Sequence, residues 1–112
     1  MAEVNQQGCL FVGEGVVLNG NFEVPDIASI SGTVEGELTA KQVLIEATGI
    51  VRGKLTGESI DIRGEVNEYV SSSRSLIIRS TGKVTGSINY SEIEIEKGGH
   101  LHGDLHNLNP HS

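Results

Sequence analysis

Tryptophan is absent from this sequence, aromatic residues make up only 4%, and Cys9 is the one cysteine. A single cysteine rules out a disulfide within one chain, and a reducing compartment is the simplest interpretation. No run of about 18 apolar residues occurs, and the opening MAEVNQQGCLFV lacks the positive charge and clean apolar stretch of a signal peptide. We therefore expect a cytoplasmic chain.

Positive charge is scarce, and neither lysine nor arginine occurs before Lys41. The net charge is -7. Nucleic acids and anionic lipid headgroups are bound largely through basic side chains that neutralise phosphate. The sequence therefore predicts no nucleic-acid partner and disfavours direct membrane binding.

Glycine is abundant, with 15 residues, and it recurs in a pattern of the form V/L-x-G-x-aliphatic. The central positions of six copies are Gly20, Gly36, Gly53, Glu68, Gly86 and Gly103. Their spacings are 16, 17, 15, 18 and 17 residues. A second short aliphatic segment precedes each copy, as Val43-Leu44-Ile45 precedes Gly53. Two strand signals per unit of this length favour a parallel β-solenoid in which one unit forms one coil.

The alternation of side chains within a copy predicts which residues face the core. In Val51-Arg52-Gly53-Lys54-Leu55 the two aliphatic residues share a face, and the charged residues point away from it. We expect the glycine at a corner, where a β-carbon would crowd the narrow interior. Glu68 replaces this glycine in the fourth unit, and a surplus residue falls in Ser71–Ser75. We therefore predict a bulge there, with Glu68 in solvent and Tyr69 or Val70 inward.

Two other repeat architectures fit less well. Ankyrin repeats also have a period of about 33 residues, but they need two helices per unit, whereas the alternation here has period two. A left-handed hexapeptide-repeat acyltransferase needs a regular coil of 18 residues and a histidine between coils as general base. The first histidine is His100.

The runs VEGELTAKQVLIEATGIVRGKLTGESIDIRGEV and STGKVTGSINYSEIEIEKGG, with the alternating coil lengths, resemble the bactofilins, bacterial polymer-forming cytoskeletal proteins. The resemblance runs from Leu10 to Leu105. It implies an all-β, single-domain, right-handed parallel β-helix with three sides and about six coils. It also implies end-to-end assembly into non-polar filaments without nucleotide, as a scaffold for envelope or cell-shape machinery. The alternative is a non-polymerising adaptor that binds one protein partner.

This interpretation divides the chain into three parts. Residues 1–9 form a short leader that we expect to be disordered, residues 10–105 form the β-helix, and residues 106–112 form a C-terminal tail. The predicted partner is the chain itself as a homopolymer. Envelope or wall-synthesis proteins are further candidate partners, through which the filament would reach the cell cortex.

The two ends of a solenoid expose unpaired strand edges over a slice of apolar core, and such edges pair readily with another chain. We predict that these ends form the polymer interfaces. The N-terminal interface consists of Leu10, Phe11 and Val12, and the C-terminal one of Ile93, Ile95, Leu101 and Leu105. Whether like or unlike ends meet is not decided by the sequence pattern.

One outward column offers a possible lateral surface. The residues at this position of successive coils are Phe11, Ser29, Leu44, Asp61, Ile77 and Glu94. The apolar members Phe11, Leu44 and Ile77 form either a lateral patch or ordinary surface, since isolated exposed apolar residues are common.

No pattern predicts an enzyme, a cofactor or a metal site. His100, His102, His106 and His111 crowd the end of the chain, but no acidic or cysteine ligand has a diagnostic spacing. Gly53-Lys54 lacks both the upstream glycine and the following Ser or Thr of a phosphate loop. The sequence thus predicts no catalytic residues, with structural assembly as the function.

Overall fold

A computed structural model describes residues 9–107, and within this range the chain forms strands and no helix. The strands are β1 (Leu10–Val12), β2 (Val17–Ile30), β3 (Thr33–Ile45), β4 (Ile50–Ile62), β5 (Glu65–Ile78), β6 (Lys83–Tyr90), β7 (Glu92–Ile95) and β8 (His100–Asn107). All pairs are parallel, in the order β1-β2-β3-β4-β5-β6-β8, and β7 pairs with β5. The predicted all-β parallel solenoid is confirmed.

The register confirms the predicted coils. Gly20 pairs with Gly36, and the ladder continues through Gly53, Glu68 and Gly86 to Gly103, so the six central positions form one column. Each coil contains one such position, which gives the six coils that the repeat predicts. The right-handed sense and the three-sided section that the resemblance implies stay predictions.

The proposed leader and tail lie mostly outside the described residues. Of the leader only Cys9 is described, and it is exposed. Strand β8 continues to Asn107, and the remaining tail residues 108–112, which include His111, fall outside the described range.

Inward aliphatic side chains form a continuous core along the axis. Val51 and Leu55 are buried on either side of Gly53, whereas Arg52 and Lys54 are exposed, as the alternation predicts. Equivalent residues of neighbouring coils stack directly, as Val34, Val51 and Val66 do. Stacking of like side chains buries apolar surface in every coil, and this burial stabilises the fold.

The predicted reason for the corner glycine is wrong. Gly53 has a φ of +130°, a conformation that residues with a β-carbon rarely adopt. A β-carbon there would overlap the carbonyl oxygen of Gly36 in the preceding coil rather than a core side chain. The corner therefore favours glycine, because neighbouring coils approach each other closely along their backbones.

Glu68 keeps the register of the corner column. It is exposed, with a φ of +94°, and Val70 is fully buried, so the predicted directions of both side chains are confirmed. The predicted bulge lies further along β5, where the register shifts between Gly57 and Ser59 of the facing strand. Ser73 and Arg74 are the two residues of β5 that the shift leaves unpaired. The bulge therefore lies in the Ser71–Ser75 segment, as the surplus residue there predicts.

A buried serine lies beside the bulge. Ser72 is fully buried, and its Oγ lies 2.9 Å from the carbonyl oxygen of Glu58 and 2.8 Å from that of Ser75. Its hydroxyl therefore has hydrogen-bond partners within the core, as buried polar groups require.

Candidate assembly surfaces

The first and the last coil each present an open edge. In coil 1, Leu10–Val12 and the first half of β2 pair on one side only, with the coil that follows. In coil 6, strands β7 and β8 pair only with the coil that precedes them. Within residues 9–107 no strand covers the other edge of either coil. Both ends therefore carry backbone groups that a further strand can pair with.

At the N-terminal end, the three predicted residues differ in exposure. Phe11 is 73% exposed on the outward phase of β1, Leu10 is partly buried, and Val12 is already buried within its own coil. Val12 can therefore contribute its backbone edge to a contact, but almost no side-chain surface.

The N-terminal end also has apolar residues that sequence reasoning missed. Val17 is 62% exposed and Val16 is 45% exposed, and three more residues are partly buried over the core: Leu18, Phe22 and Val24. Leu18 and Phe22 are the two aliphatic or aromatic positions of the first repeat copy. Because no described coil precedes this copy, its inward side chains lack a covering layer, and that reasoning could have identified them.

At the C-terminal end, the structure brings together all four predicted residues in coil 6. Ile95 and Leu105 are each nearly half exposed, at 46% and 47%, and Ile93 and Leu101 are partly buried against the core. Their equivalents one coil inward, such as Val84 and Ile88, are buried. The loss of one covering coil therefore leaves an apolar layer at this end.

A second column distinguishes the first coil from the others. Its members occupy equivalent turns, as the hydrogen bonds between neighbouring coils show, and they are Val16, Gly32, Gly49, Gly64, Gly82 and Gly99. A β-carbon on any of these glycines would lie too close to a carbonyl oxygen of the preceding coil, at 2.5 Å for Gly82 and 2.8 Å for Gly99. Val16 alone in this column carries a side chain. A coil stacked before coil 1 in the same register would therefore collide with the Val16 side chain.

The charges of the two ends differ. Coil 1 carries Glu14, Glu23 and Asp26 and no lysine or arginine. Coil 6 carries four carboxylates and Lys97, together with three exposed histidines: His100, His102 and His106. Only the C-terminal end therefore has groups of both signs.

A branched ion pair ties the last coil to the solenoid. Nη2 of Arg79 lies 2.9 Å from Oδ2 of Asp61, and Nη1 of the same guanidinium lies 2.8 Å from Oε2 of Glu96. The hydrogen bond from Arg79 lowers the pKa of Glu96, aided by the Ser80 backbone N–H. The hydrogen bonds with Asp61 and then Glu96 raise the pKa of Arg79 further above its ordinary value. One arginine thus joins coils 4, 5 and 6.

The predicted lateral column forms in register. Phe11 pairs with Ser29, and the column continues through Leu44, Asp61 and Ile77 to Glu94. Leu44 and Ile77 are partly buried, and together with Ile27 they line a shallow hollow of about 450 Å³. Asp61, between them in the column, is held by Arg79. We define the lateral hollow as Ile27, Leu44 and Ile77; the exposed Phe11 stands apart from it, in coil 1.

Within residues 9–107, no group of three His, Cys, Asp or Glu side chains is placed to hold a metal ion. His102 is exposed on the outward phase, as the alternation predicts. The described part of the chain also contains no helix that is long and apolar enough to cross a membrane.

Comparison with known proteins gives a family and two relatives. A family model described as "Bactofilin: Polymer-forming cytoskeletal" matches residues 10–106. Bactofilin BacO of Myxococcus xanthus (strain DK1622) is 25% identical over 95 residues, which are 84% of this chain and 75% of BacO. Bactofilin BacP of the same organism is 26% identical over 102 residues, which are 88% of this chain and 42% of BacP. The chain thus spans less than half the length of BacP. No solved structure gives a significant match.

Proposed function

Since the chain belongs to the bactofilin family, whose model is described as polymer-forming and cytoskeletal, we propose that it assembles end to end into non-polar filaments without a nucleotide. The filaments serve as a scaffold for cell-envelope or cell-shape machinery, and wall-synthesis proteins are candidate partners. The observation that carries this proposal is the pair of open, apolar ends on a solenoid whose inner coils pair on both sides.

The apolar residues at each end support a contact between copies. Ile93, Ile95, Leu101 and Leu105 supply the C-terminal surface, and Leu10 and Phe11 supply part of the N-terminal one. Burial of an aliphatic side chain stabilises an interface by roughly 1.5 to 3 kcal/mol. Pairing of the open strand edges adds to this term, because backbone groups that leave water at the joint need hydrogen-bond partners.

Val16 favours contacts between like ends. In a head-to-tail filament, coil 6 of one copy would precede coil 1 of the next, and the Val16 side chain would occupy the position of a backbone carbonyl. Contacts between like ends avoid this overlap, because they need not continue the parallel register of the solenoid. Like ends meet through isologous interfaces, and the resulting filament has no polarity.

The lateral hollow supports a second candidate function. Ile27, Leu44 and Ile77 form an apolar depression away from both ends, and one protein partner could bind there. In this alternative the chain is a non-polymerising adaptor.

Sedimentation of the purified chain, without nucleotide and across salt concentrations, tests the proposal. The net charge of -7 makes copies repel one another, so filaments should lengthen as salt screens this repulsion. Negative-stain electron microscopy of the pelleted material should show filaments of uniform width. A discrete monomer or dimer at all salt and protein concentrations would contradict polymerisation and favour the adaptor.

A further inference from the structure

The side chains of β8 alternate symmetrically about Gly103. Leu101 and Leu105 lie at inward positions, and His102 and Asp104 are exposed at outward ones. The equivalent residues one coil inward follow the same pattern, since Val84 and Ile88 are buried and Thr85 is exposed. In either direction from Gly103, the first side chain therefore points outward and the second points inward.

We propose that two copies meet at their C-terminal ends about a two-fold axis that passes through Gly103, an inference that rests on the proposed end-to-end assembly. The axis sets the two β8 strands antiparallel across the joint. Leu101 then lies opposite the partner's Leu105, and His102 lies opposite the partner's Asp104. Each joint contains both contacts twice, because the interface is isologous.

Antiparallel pairing about this residue satisfies the backbone. Successive residues of a strand direct their N–H and C=O groups to opposite edges. Two residues that pair about Gly103 have position numbers that sum to 206, so both numbers are odd or both are even. Both residues therefore direct their N–H and C=O groups to the same edge of β8. The open edge of one copy therefore meets matching donors and acceptors of the other.

The polar side chains at the joint are complementary in this register. Side chains directly opposite each other in an antiparallel pair have β-carbons about 4.5 to 5.5 Å apart and lie on the same face. The His102 imidazole would lie within reach of the partner's Asp104 carboxylate, which it can bind by a hydrogen bond or, when protonated, as an ion pair. The two reciprocal pairs oppose the repulsion between the acidic residues of coil 6, which include Glu92 and Glu94.

The same operation at the N-terminal end gives a different kind of contact. The axis there passes through Gly20, so Leu18 lies opposite the partner's Phe22, and Asn19 lies opposite the partner's Asn21. These pairs contain an apolar contact and an amide contact, but no ion pair. The two joints of one filament therefore differ, and only the C-terminal joint depends on charge at the corner.

A mixing experiment tests the C-terminal joint. One variant carries His102→Asp, which places aspartate opposite aspartate across the joint, and a second carries His102→Lys with Asp104→Lys, which places lysine opposite lysine. At low salt each variant alone should stop at dimers joined by their N-terminal ends, with the C-terminal joint about tenfold or more weaker than in the wild type. An equimolar mixture restores opposite charges in every pair, so filaments should return.

Matched controls carry the same charges one coil inward. Thr85 and Ser87 occupy the positions of His102 and Asp104 in coil 5. The variants Thr85→Asp with Ser87→Asp, and Thr85→Lys with Ser87→Lys, should polymerise alone, and mixing should not change their sedimentation. Circular dichroism should show that all of these chains remain folded, because the changed side chains lie on the outer surface.

Failure of the inference is distinguishable from failure of the proposed function. If the wild-type chain never sediments as a polymer, both the end-to-end assembly and the proposed C-terminal joint are wrong. If the wild type polymerises, and either charged variant alone polymerises equally well or the mixture does not recover, only the Gly103 axis is wrong. Head-to-tail contacts would give the first of these results, since His102 would then face the partner's Asn19.

Cross-linking provides a second measurement that introduces no like charges into the joint. In a Cys9→Ser background, copies with His102→Cys are mixed with copies with Asp104→Cys under mild oxidation. The mixture should form disulfide-linked dimers at least about fivefold faster than either variant alone, because only the mixture places two cysteines directly opposite each other. Equal rates in all three samples would contradict the register.

Discussion

Nη1 of Arg79 lies 2.8 Å from Oε2 of Glu96, across the boundary between the fifth and the last coil. The same guanidinium binds Asp61 on its other side, so the ion pair links the terminal coil to the interior of the solenoid. This hydrogen bond lowers the pKa of Glu96. The protonation of Glu96 therefore affects how firmly the last coil is attached.

Acid should weaken the attachment of coil 6. A carboxyl whose pKa is lowered by folding stabilises the folded state above its unfolded pKa, and this contribution is lost as the pH falls through the folded pKa. Glu96→Gln should therefore lower the urea midpoint of unfolding near neutral pH, and the difference from the parent chain should vanish in acid. The measurement is a urea titration of both chains from about pH 7 to about pH 3.

Both chains in this comparison should also carry a substitution that blocks assembly, because assembly would otherwise stabilise the folded state by itself. Glu94→Gln is the matched control, since Glu94 is an exposed carboxylate on the same coil. Its difference from the parent should be small at every pH. A Glu96→Gln difference that persists unchanged at the acid limit would contradict the role of the carboxylate charge.

Glycine at position 68 should stabilise the chain. Glu68 has a φ of +94° in a column where the other corner residues are glycines. Removal of the β-carbon relieves this backbone strain, so Glu68→Gly should raise the free energy of unfolding by about 0.5 to 1 kcal/mol. Thermal or urea unfolding measures the change.

Two further variants separate the β-carbon from the charge. Glu68→Ala keeps the β-carbon, so it should give no comparable gain. Gly53→Ala should lower the free energy of unfolding by more than about 2 kcal/mol, because its β-carbon would overlap the Gly36 carbonyl oxygen. Equal effects of Glu68→Gly and Glu68→Ala would assign the gain to the lost carboxylate instead.

The repeat itself could be predicted from the sequence because its signal is local. Alternation with period two identifies Val51 and Leu55 as inward residues, and the spacing of the copies sets the register that places Gly36, Gly53 and Glu68 in one column. The lateral column from Phe11 to Glu94 was predictable for the same reason. Each of these features follows from the residue pattern within one unit, which recurs in every coil.

Features that depend on two coils at once could not be predicted in this way. The corner glycine is required by a carbonyl of the preceding coil, and the ion pair of Arg79 with Glu96 spans 17 residues. The steric block at Val16 becomes visible only when the turns of successive coils are aligned, because every later coil has glycine at the equivalent position. Strand patterns show side-chain direction, but not how closely backbones approach each other.

A charge in the apolar layer of either end should stop growth at the dimer. Leu101→Arg places a guanidinium in the C-terminal joint and should weaken it by more than about 100-fold, because an unpaired charge in an apolar contact is costly to desolvate. Leu18→Arg should do the same at the N-terminal joint. Analytical ultracentrifugation should find dimers for each single variant and monomers for the double variant.

Thr85→Arg is the control for added charge, since Thr85 is exposed and lies one coil away from the end. This variant should form filaments like those of the parent chain. Long filaments from both Leu101→Arg and Leu18→Arg would overturn the end-to-end model.

Lateral association should depend on the apolar column and not on the ends. Leu44→Glu with Ile77→Glu introduces two carboxylates into the lateral hollow, so copies that pack side by side would bring buried like charges together. We expect single filaments of normal length without sheets or bundles in negative-stain images. Thr39→Glu with Thr85→Glu adds the same charge at exposed positions outside the hollow, so bundles should persist in that variant. If both pairs of substitutions abolish bundles equally, net charge rather than the hollow controls lateral contact, and Leu44 and Ile77 are then ordinary surface residues.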